Sequence, residues 1–230
     1  MLEKVDRLFR ALSETSSTLG LTELARRSQV PKASTYRLAE QLVDLGFMVK
    51  TARGYQLGWR IYEMGQSVPR PAQLRRVARP TLVDLRQATK ALVVHFAVLQ
   101  GDDVVYLERL GGRREVALLA AVAASAPADQ TVSGRVLQAY SANTERGSVT
   151  SEQAAEYAAI RERRWASETG SVVAGAKTFA VPIEYPGGSF VIGVIAATVH
   201  TGRQDDQETL HALWAAAGEI SAALQRKPVR

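Results

Sequence analysis

One segment near the N-terminus, Val30–Gly46, limits the fold more than any other part of the chain. Pro31 suits the first turn of a helix, where its missing N–H group has no partner to lose, and Gly46 suits the position just after a helix, where a left-handed backbone is favoured. An apolar seam at helical spacing joins the two ends and consists of Thr35, Leu38, Leu42 and Leu45. The pattern predicts an amphipathic helix with a narrow buried side.

The opposite side of this helix is rich in hydrogen-bond donors, with the acid Glu40 among them. A donor-rich helix with a narrow apolar side fits the major groove of duplex DNA. An ordinary surface helix with a solvated polar face shows the same pattern. The neighbouring elements are therefore needed to distinguish a DNA-binding helix from an ordinary one. The residues of this helix that we predict to contact DNA are Lys32, Ala33, Ser34, Tyr36, Arg37 and Gln41.

The segments before this helix predict a helix-turn-helix. A first amphipathic helix is expected over Leu2–Leu12, and a second from Thr22, which can cap it, to Ser28. Because only two residues, Gln29 and Val30, then separate the second helix from the third, the turn between them is tight.

A β-hairpin is expected directly after the third helix, with strands over residues 47–50 and 55–57 around a turn that ends at Gly54. We place Lys50 and Arg53 at the hairpin tip, where they can reach phosphate groups or the minor groove. Three helices and a hairpin within the first 57 residues form the pattern of a winged helix. This order of elements favours DNA binding over a plain surface helix.

The composition of the 230 residues excludes several classes of protein. The chain has no cysteine, which excludes disulfides and thiolate metal sites, and its three histidines are too scattered to suggest a metal site. It has neither an apolar run long enough to span a membrane nor the apolar core of a signal peptide, so we expect a soluble, cytoplasmic protein. The net charge of +6 is compatible with an acidic partner.

After the hairpin, a short helix over residues 58–67 is followed by Pro69-Arg70-Pro71, which breaks it. We therefore expect a winged-helix domain with a linker helix at residues 1–70 and a second domain at 71–230. Hairpin-joined strands with separate helices predict an antiparallel sheet, and hence an α+β fold, in the second domain. Strands are expected at 92–99, 104–110, 116–122, 177–183 and 190–198, and helices at 74–89, 132–142, 152–165 and 205–224.

The residues of the second domain do not form a convincing catalytic group. Gly111–Arg114 lacks the spacing of a phosphate-binding loop and is expected to be a turn between strands. His95 is expected in a core or at the edge of a pocket, and Ser133 has no base close to it in sequence. We therefore predict no enzyme activity, no cofactor and no metal.

Three segments of the chain resemble the IclR family of bacterial transcription regulators. They are LTELARRSQVPKASTYRLAEQLVDLGFM at 21–48, YQLGWRIYEMG at 55–65 and VVHFAVLQGDDVVYLERL at 93–110. The resemblance implies a winged helix joined by a linker helix to a GAF-like domain that binds a small organic effector. It also implies a homodimer or a dimer of dimers on a double-stranded DNA operator.

The chain departs from the pattern of the family near the effector site. It has Gly134-Arg135 where the family usually has Gly-Lys, Thr178 at the place of a common Cys, and Arg164-Trp165 instead of Gly-Tyr. The segment between Tyr140 and Glu152 is also shorter than usual.

The resemblance implies an effector site by position. An organic acid is the expected ligand, because the amides of Val132 and Ser133 open a helix whose dipole favours an anion. Glu168 opposes this unless its carboxylate meets a hydroxyl or an amine of the ligand. The residues of the implied site are Leu118, Val132, Ser133, Glu168, Ala176, Thr178, Ile195 and Ala197.

Three functions therefore remain open at this point. The chain is a ligand-responsive DNA-binding regulator, a DNA-binding dimer whose second domain has no effector, or an enzyme with a winged helix as a docking module. A dimer is expected because one winged helix reads only a short half-site. The apolar faces of the first helix and of the helix over residues 58–67 are the candidate contacts between the two copies.

Overall fold

The computed structural model describes residues 1–13, 15, 18–112, 125–141, 149–170, 173–185, 190–202 and 205–226. The chain divides into two compact units, of which the first is Met1–Pro69 and the second begins at Arg70. The predicted strand at 116–122, with the candidate ligand residue Leu118, lies outside the described residues.

The first unit consists of four helices and a hairpin, in the predicted order. Its elements are α1 (Leu2–Ser13), α2 (Leu21–Ser28), α3 (Lys32–Asp44), β1 (Met48–Thr51), β2 (Gly54–Leu57) and α4 (Trp59–Gln66). The prediction that Thr22 caps the second helix was wrong, because α2 begins one residue earlier and Gly20 is its N-cap. Leu45 was also misplaced in the buried seam, since it follows the end of α3 and is 53% exposed.

Three of the four helices of the first unit, α1, α2 and α3, share one apolar core. Leu8 of α1, Leu24 of α2, and Leu38 and Leu42 of α3 are buried in it together with Tyr55 of the hairpin. The apolar side of α1 therefore packs mainly inside its own unit. The hairpin is held to the segment before α2 by paired backbone hydrogen bonds between Leu19 and Tyr55, at 3.0 and 2.8 Å.

The second unit contains an antiparallel sheet of six described strands. The strands are β3 (Val93–Gln100), β4 (Asp103–Gly111), β5 (Ser125–Pro127), β6 (Ala166–Thr169), β7 (Ala176–Glu184) and β8 (Val191–His200). Their order in the sheet is β5-β4-β3-β8-β7-β6. Two of them, β5 and β6, were not predicted because they are only three and four residues long. The helices are α5 (Pro69–Thr89), α6 (Val132–Ala139), α7 (Ser151–Arg163) and α8 (Asp206–Arg226).

Helices cover both faces of this sheet. One face, which we call the α5/α8 face, packs Phe96, Phe179 and Ile195 against those two helices. The other, which we call the α6 face, packs Ala97 and Val194 against α6 and α7. Because successive side chains of a strand point to opposite faces, the pairing of the strands decides which residues share the α6 face.

The helix α5 begins at Pro69, five residues before the predicted start at Leu74. The sequence Pro69-Arg70-Pro71 therefore starts a helix as well as ending the previous one, since proline is tolerated in a first helical turn. The helix continues through Pro80 to Thr89. Within the described residues, no helix is long and apolar enough to cross a membrane.

Candidate nucleic-acid interface and ligand site

The helix α3 presents most of its predicted DNA contacts to solvent. Ser34 differs from the others because it is half-buried. The residues exposed on the surface are Lys32, Ala33, Tyr36, Arg37 and Gln41. Most of them lie in the N-terminal half of the helix, which is the part of a recognition helix that contacts base edges.

The start of α3 is fixed from below by Thr35, whose side chain is fully buried. Its hydroxyl donates to the carbonyl oxygens of Val30 and Pro31, at 3.1 and 3.2 Å. Gln29 makes the tight turn before α3 with a left-handed backbone, at a φ of 53°. The exposed side chains of α3 therefore extend from a helix whose first turn is held by hydrogen bonds of a buried side chain.

Positive charge at this surface is partly compensated. Arg26 and Arg27 of α2 both bind Glu23, and these contacts lower the pKa of Glu23 to about 2. Among the described residues, no acidic side chain pairs with Lys32, Arg37 or Arg53. Lys32, Arg37 and Arg53 are therefore the cations of this surface best suited to contact DNA.

The placement of Lys50 at the tip of the hairpin was wrong. Arg53 lies in the turn, but Lys50 lies on β1 and its Nζ binds Glu40 of α3 at 2.9 Å. The hydroxyl of Tyr55 donates to the same carboxylate oxygen at 2.6 Å, and the two contacts lower the pKa of Glu40. Glu40, which the sequence showed as an acid among the hydrogen-bond donors of α3, therefore joins the hairpin to α3.

The structure places the described residues of the implied ligand site on two different faces of the sheet. Val132 and Ser133 begin α6, and Ala176 and Thr178 of β7 lie on the sheet face that α6 covers. Glu168 faces the same side from β6, one of the two strands that were not predicted.

Ile195 and Ala197 do not join this group, because they lie in the core of the α5/α8 face. The pairing of β7 with β8 places Thr198 opposite Thr178 and Ala196 opposite Ala180. A shift of one residue along a strand moves a side chain to the other face. The α6 face of β8 therefore carries Ala196 and Thr198 in place of the two residues that we predicted.

Hydrogen-bonding side chains meet on the α6 face, and we call this set the polar cluster: His95, Tyr106, Arg109, Ser133, Thr178 and Thr198. His95 Nε2 and Ser133 Oγ are 2.7 Å apart, so the fold brings beside Ser133 a histidine that lies 38 residues away in sequence. The hydroxyls of Thr178 and Thr198 are 2.9 Å apart. A sheet face inside a core thus carries polar groups suited to a small polar molecule.

Sequence reasoning missed Tyr106 and Arg109. The Arg109 guanidinium lies 3.8 Å from the centre of the Tyr106 ring, which meets the His95 ring edge-on at 5.1 Å. Arg109 is also directly opposite His95 in the pairing of β3 with β4. Counting back from the hairpin turn after Gln100 pairs Ala97 with Tyr106, but a β-bulge between Phe96 and Ala97 then shifts the register, so simple counting does not place Arg109 opposite His95.

Glu168 has a cationic partner in the structure. Its carboxylate accepts a hydrogen bond from Arg135 Nη2 at 3.1 Å, and Arg135 also lies 3.1 Å from Glu156 of α7. Because Arg135 compensates Glu168, this carboxylate opposes an anionic ligand less than we expected. Among the described residues, no group of three or more acidic, cysteine or histidine side chains is arranged to hold a metal ion.

We expect the second unit to become less stable as the pH decreases, because of His95. Burial, with a smaller effect of the Arg109 charge, lowers the pKa of His95 from 6.5 to about 3. Between these values the unfolded chain binds a proton that the folded chain does not, so acidification favours unfolding by at most about 1.4 kcal/mol per pH unit. Urea unfolding of wild type and His95→Gln at pH 7, 6 and 5 measures this.

The His95→Gln variant should lose less stability between pH 7 and pH 5 than wild type does. His211→Gln is the control, because His211 is exposed on α8 and its replacement should leave the wild-type slope unchanged. If the free energy of unfolding of wild type and of His95→Gln decreases equally between pH 7 and pH 5, His95 is not held neutral in the folded state.

The fold and the surface of α3 define a winged-helix protein with an attached α+β unit. A family model described as the IclR helix-turn-helix domain matches residues 2–52, and one for the bacterial transcriptional regulator IclR C-terminal matches residues 66–156. The chain belongs to the IclR family and is a DNA-binding transcriptional regulator. The predictions of the family and of the α+β fold are confirmed.

Curated relatives and solved structures agree with this assignment. The chain is 25% identical over 242 residues to the HTH-type transcriptional regulator KdgR of Escherichia coli, a match that covers 96% of this chain and 91% of KdgR. It is 31% identical over 112 residues to KipR of Bacillus subtilis, a match that covers 48% of this chain and 44% of KipR.

An IclR homologue from Microbacterium hydrocarbonoxydans, crystallised with 4-hydroxybenzoate, has the same fold. The TM-score is 0.82 at 24% identity, over 98% of this chain and 99% of that chain.

Proposed function

We propose that this regulator reads duplex DNA through α3 and the hairpin, and that a small organic acid bound on the α6 face controls its affinity for an operator. The DNA-binding part is then residues 1–70 and the effector-binding part residues 71–230. The observation that carries the proposal is the exposed, donor-rich side of α3, whose backbone is fixed by the buried Thr35.

The contacts of α3 with DNA divide into two kinds. Arg37, with Ser34, Tyr36 and Gln41 along the same helix, is suited to base edges, and Ala33 leaves room for close approach to the groove. Lys32 and Arg53 are suited to phosphates, which fix the position of the protein without reading sequence. Lys50 reaches the backbone of DNA only in competition with Glu40, to which it is bound.

We expect Arg37→Ala to weaken specific operator binding by about 1–3 kcal/mol, roughly fivefold to 150-fold, since a bidentate contact with a base is lost. Lys32→Ala should instead weaken binding to all sequences alike and lower the salt slope by about one. Fluorescence anisotropy on specific and random duplexes at several salt concentrations measures both effects.

Arg76→Ala is the control for these variants, because Arg76 is an exposed arginine of the second unit. It should bind the operator as wild type does. If Arg37→Ala also binds the operator as wild type does, Arg37 is not a base contact.

The proposed homodimer forms through α4. This helix has no buried residue, and Trp59, Tyr62 and Met64 are 76, 59 and 55% exposed. A second copy of the chain is the proposed occupant, because a symmetric operator requires two winged helices. The apolar side of α1, our other candidate, is largely used inside its own unit, which favours α4.

We expect Trp59→Glu to weaken the dimer, since a buried charge at a contact between two copies is unfavourable. Sedimentation equilibrium should show wild type as a dimer at micromolar concentration and the variant with a larger monomer fraction. The control is Val83→Glu on α5, which places the same charge at another exposed apolar residue. A wild-type chain that is monomeric at this concentration would contradict the proposal.

The effector is proposed to be a small organic acid. The open amides at the start of α6 and the cation Arg109 favour an anion, and Val132, Ala176 and Ala196 supply apolar wall. The homologue crystallised with 4-hydroxybenzoate supports a ligand of this class.

A thermal-shift screen of small carboxylic acids, repeated on Ser133→Ala and on the Thr178→Val variant, tests the effector. An acid that stabilises wild type more than Ser133→Ala and also changes operator affinity supports the site. Equal stabilisation of wild type and the variants places the ligand elsewhere. No stabilisation by any acid at millimolar concentration favours a second unit that only dimerises.

A further inference from the structure

The contact between His95 and Ser133 joins two elements that lie 38 residues apart in sequence. Ser133 is the second residue of α6 and is 1% exposed, and His95 lies on β3 beneath it. Their side-chain atoms, Nε2 and Oγ, are 2.7 Å apart, so one proton lies between them. The position of that proton decides what Ser133 can offer to a ligand.

A neutral imidazole has one donor and one acceptor nitrogen, and a hydroxyl has a single proton to donate. If His95 Nε2 carries the proton, the Ser133 oxygen accepts it and the serine hydroxyl proton is free for another partner. If Nε2 is unprotonated, the serine donates to His95 and presents only lone pairs to a ligand. An anion binds well in the first arrangement and is repelled in the second.

The neighbours of His95 favour the first arrangement. Arg109 lies opposite His95 on β4, and a guanidinium has donors but no acceptor. Ser133 occupies Nε2, and the positive charge of Arg109 acts on the ring, where it lowers the pKa of His95. A positive charge favours a lone pair over an N–H group on the remaining nitrogen, Nδ1, and this leaves the proton for Nε2. The lowered pKa of His95 keeps the ring neutral, so that a choice between the two arrangements exists.

We propose that His95 is a positioning residue of the effector site: its Nε2–H donates to Ser133 Oγ and so directs the serine hydroxyl proton toward the carboxylate of a small organic acid. This inference rests on the proposed function, in that the effector is an anion on the α6 face. It adds the role of His95, which acts through Ser133, and it explains why a polar ring lies in the middle of that sheet face.

The first test needs no ligand. Nitrogen-15 NMR of the histidine rings at pH 7 should show His95 as the neutral tautomer with the proton on Nε2, and the His95→Gln variant identifies its signals. A proton on Nδ1, or a charged ring, would overturn the inference whether or not any acid binds.

The second test compares binding of acetate, pyruvate and benzoate to wild type, His95→Gln and His95→Leu by calorimetry. The glutamine amide supplies a donor in place of Nε2–H, and leucine supplies none. We expect His95→Leu to lose roughly tenfold to a hundredfold in affinity for an acid that wild type binds, and His95→Gln to recover most of it. His211→Leu, which makes the same replacement at an exposed histidine of α8, is the control and should bind the acid as wild type does.

The outcomes separate this inference from the proposed function. Equal binding of an acid by wild type and His95→Leu would overturn the role of His95 and leave the effector site standing. If no acid binds to wild type, the proposed effector class fails, and the tautomer measurement alone then decides the arrangement of His95 and Ser133.

Discussion

Replacing Gly134 with alanine is expected to destabilise the second unit by about 3 kcal/mol, the upper part of the range for overpacking of a well-packed interior. A methyl group at this position would lie 2.0 Å from the carbonyl oxygen of Ala128 and 2.5 Å from its Cα atom. Both are backbone atoms, so a side-chain rotation cannot relieve the clash. The N-terminus of α6, which carries Ser133, has to move away from the preceding 3₁₀ turn.

Gly218→Ala in α8 is the matched control. It is also a helical glycine of the second unit, but a methyl group there meets nothing within 4 Å. Alanine should stabilise that helix by about 0.5–1 kcal/mol. Urea unfolding should therefore show opposite effects of the same chemical change, and equal stabilities of the two variants would contradict the close packing of α6.

The double variant Arg75→Ala/Arg79→Ala is expected to lose about 3–5 kcal/mol, because it leaves a buried carboxylate without a counter-ion. Glu108 of β4 is 7% exposed, and its two oxygens accept hydrogen bonds from Arg75 Nε and Arg79 Nη1, at 2.7 and 2.6 Å. These contacts tie the N-terminal half of α5 to the sheet. Each single variant keeps one partner and should lose less.

The opposite variant, Glu108→Gln, should cost less than the double variant, since the two arginines are about half exposed and water can solvate them. Adding Glu108→Gln to the double variant should recover part of the stability, because the unpaired charge is removed. Urea unfolding of the four proteins measures this coupling. A Glu108→Gln variant that is less stable than the double variant would show that the arginines, rather than the carboxylate, need compensation.

The winged helix was predictable because its information is local. The end signals Pro31 and Gly46, the seam through Leu38 and the glycine-containing turn of the hairpin each act over a few residues. The structure differs from these predictions only at the ends of elements, such as the start of α2. What the sequence could not show was the ion pair between Lys50 and Glu40, which depends on the distance between two elements rather than on either one.

The candidate ligand site was harder to predict because it depends on the register of long-range strand pairs. A one-residue error on β8 exchanged Ala196 and Thr198 for Ile195 and Ala197, which lie on the opposite face. The contact of His95 with Ser133 likewise depends on how α6 packs on β3. Neither has a local signal in the sequence.

The reading of a DNA sequence by α3 is the central claim, and selection of binding sites from a random pool of duplex DNA tests it most directly. The wild-type protein should enrich a site with two-fold symmetry, whose half-sites lie one or more helical turns apart. Wild type should bind this site at least about fivefold more tightly than Arg37→Ala does. Enrichment of no site, or of a site that both proteins bind equally, would contradict the account.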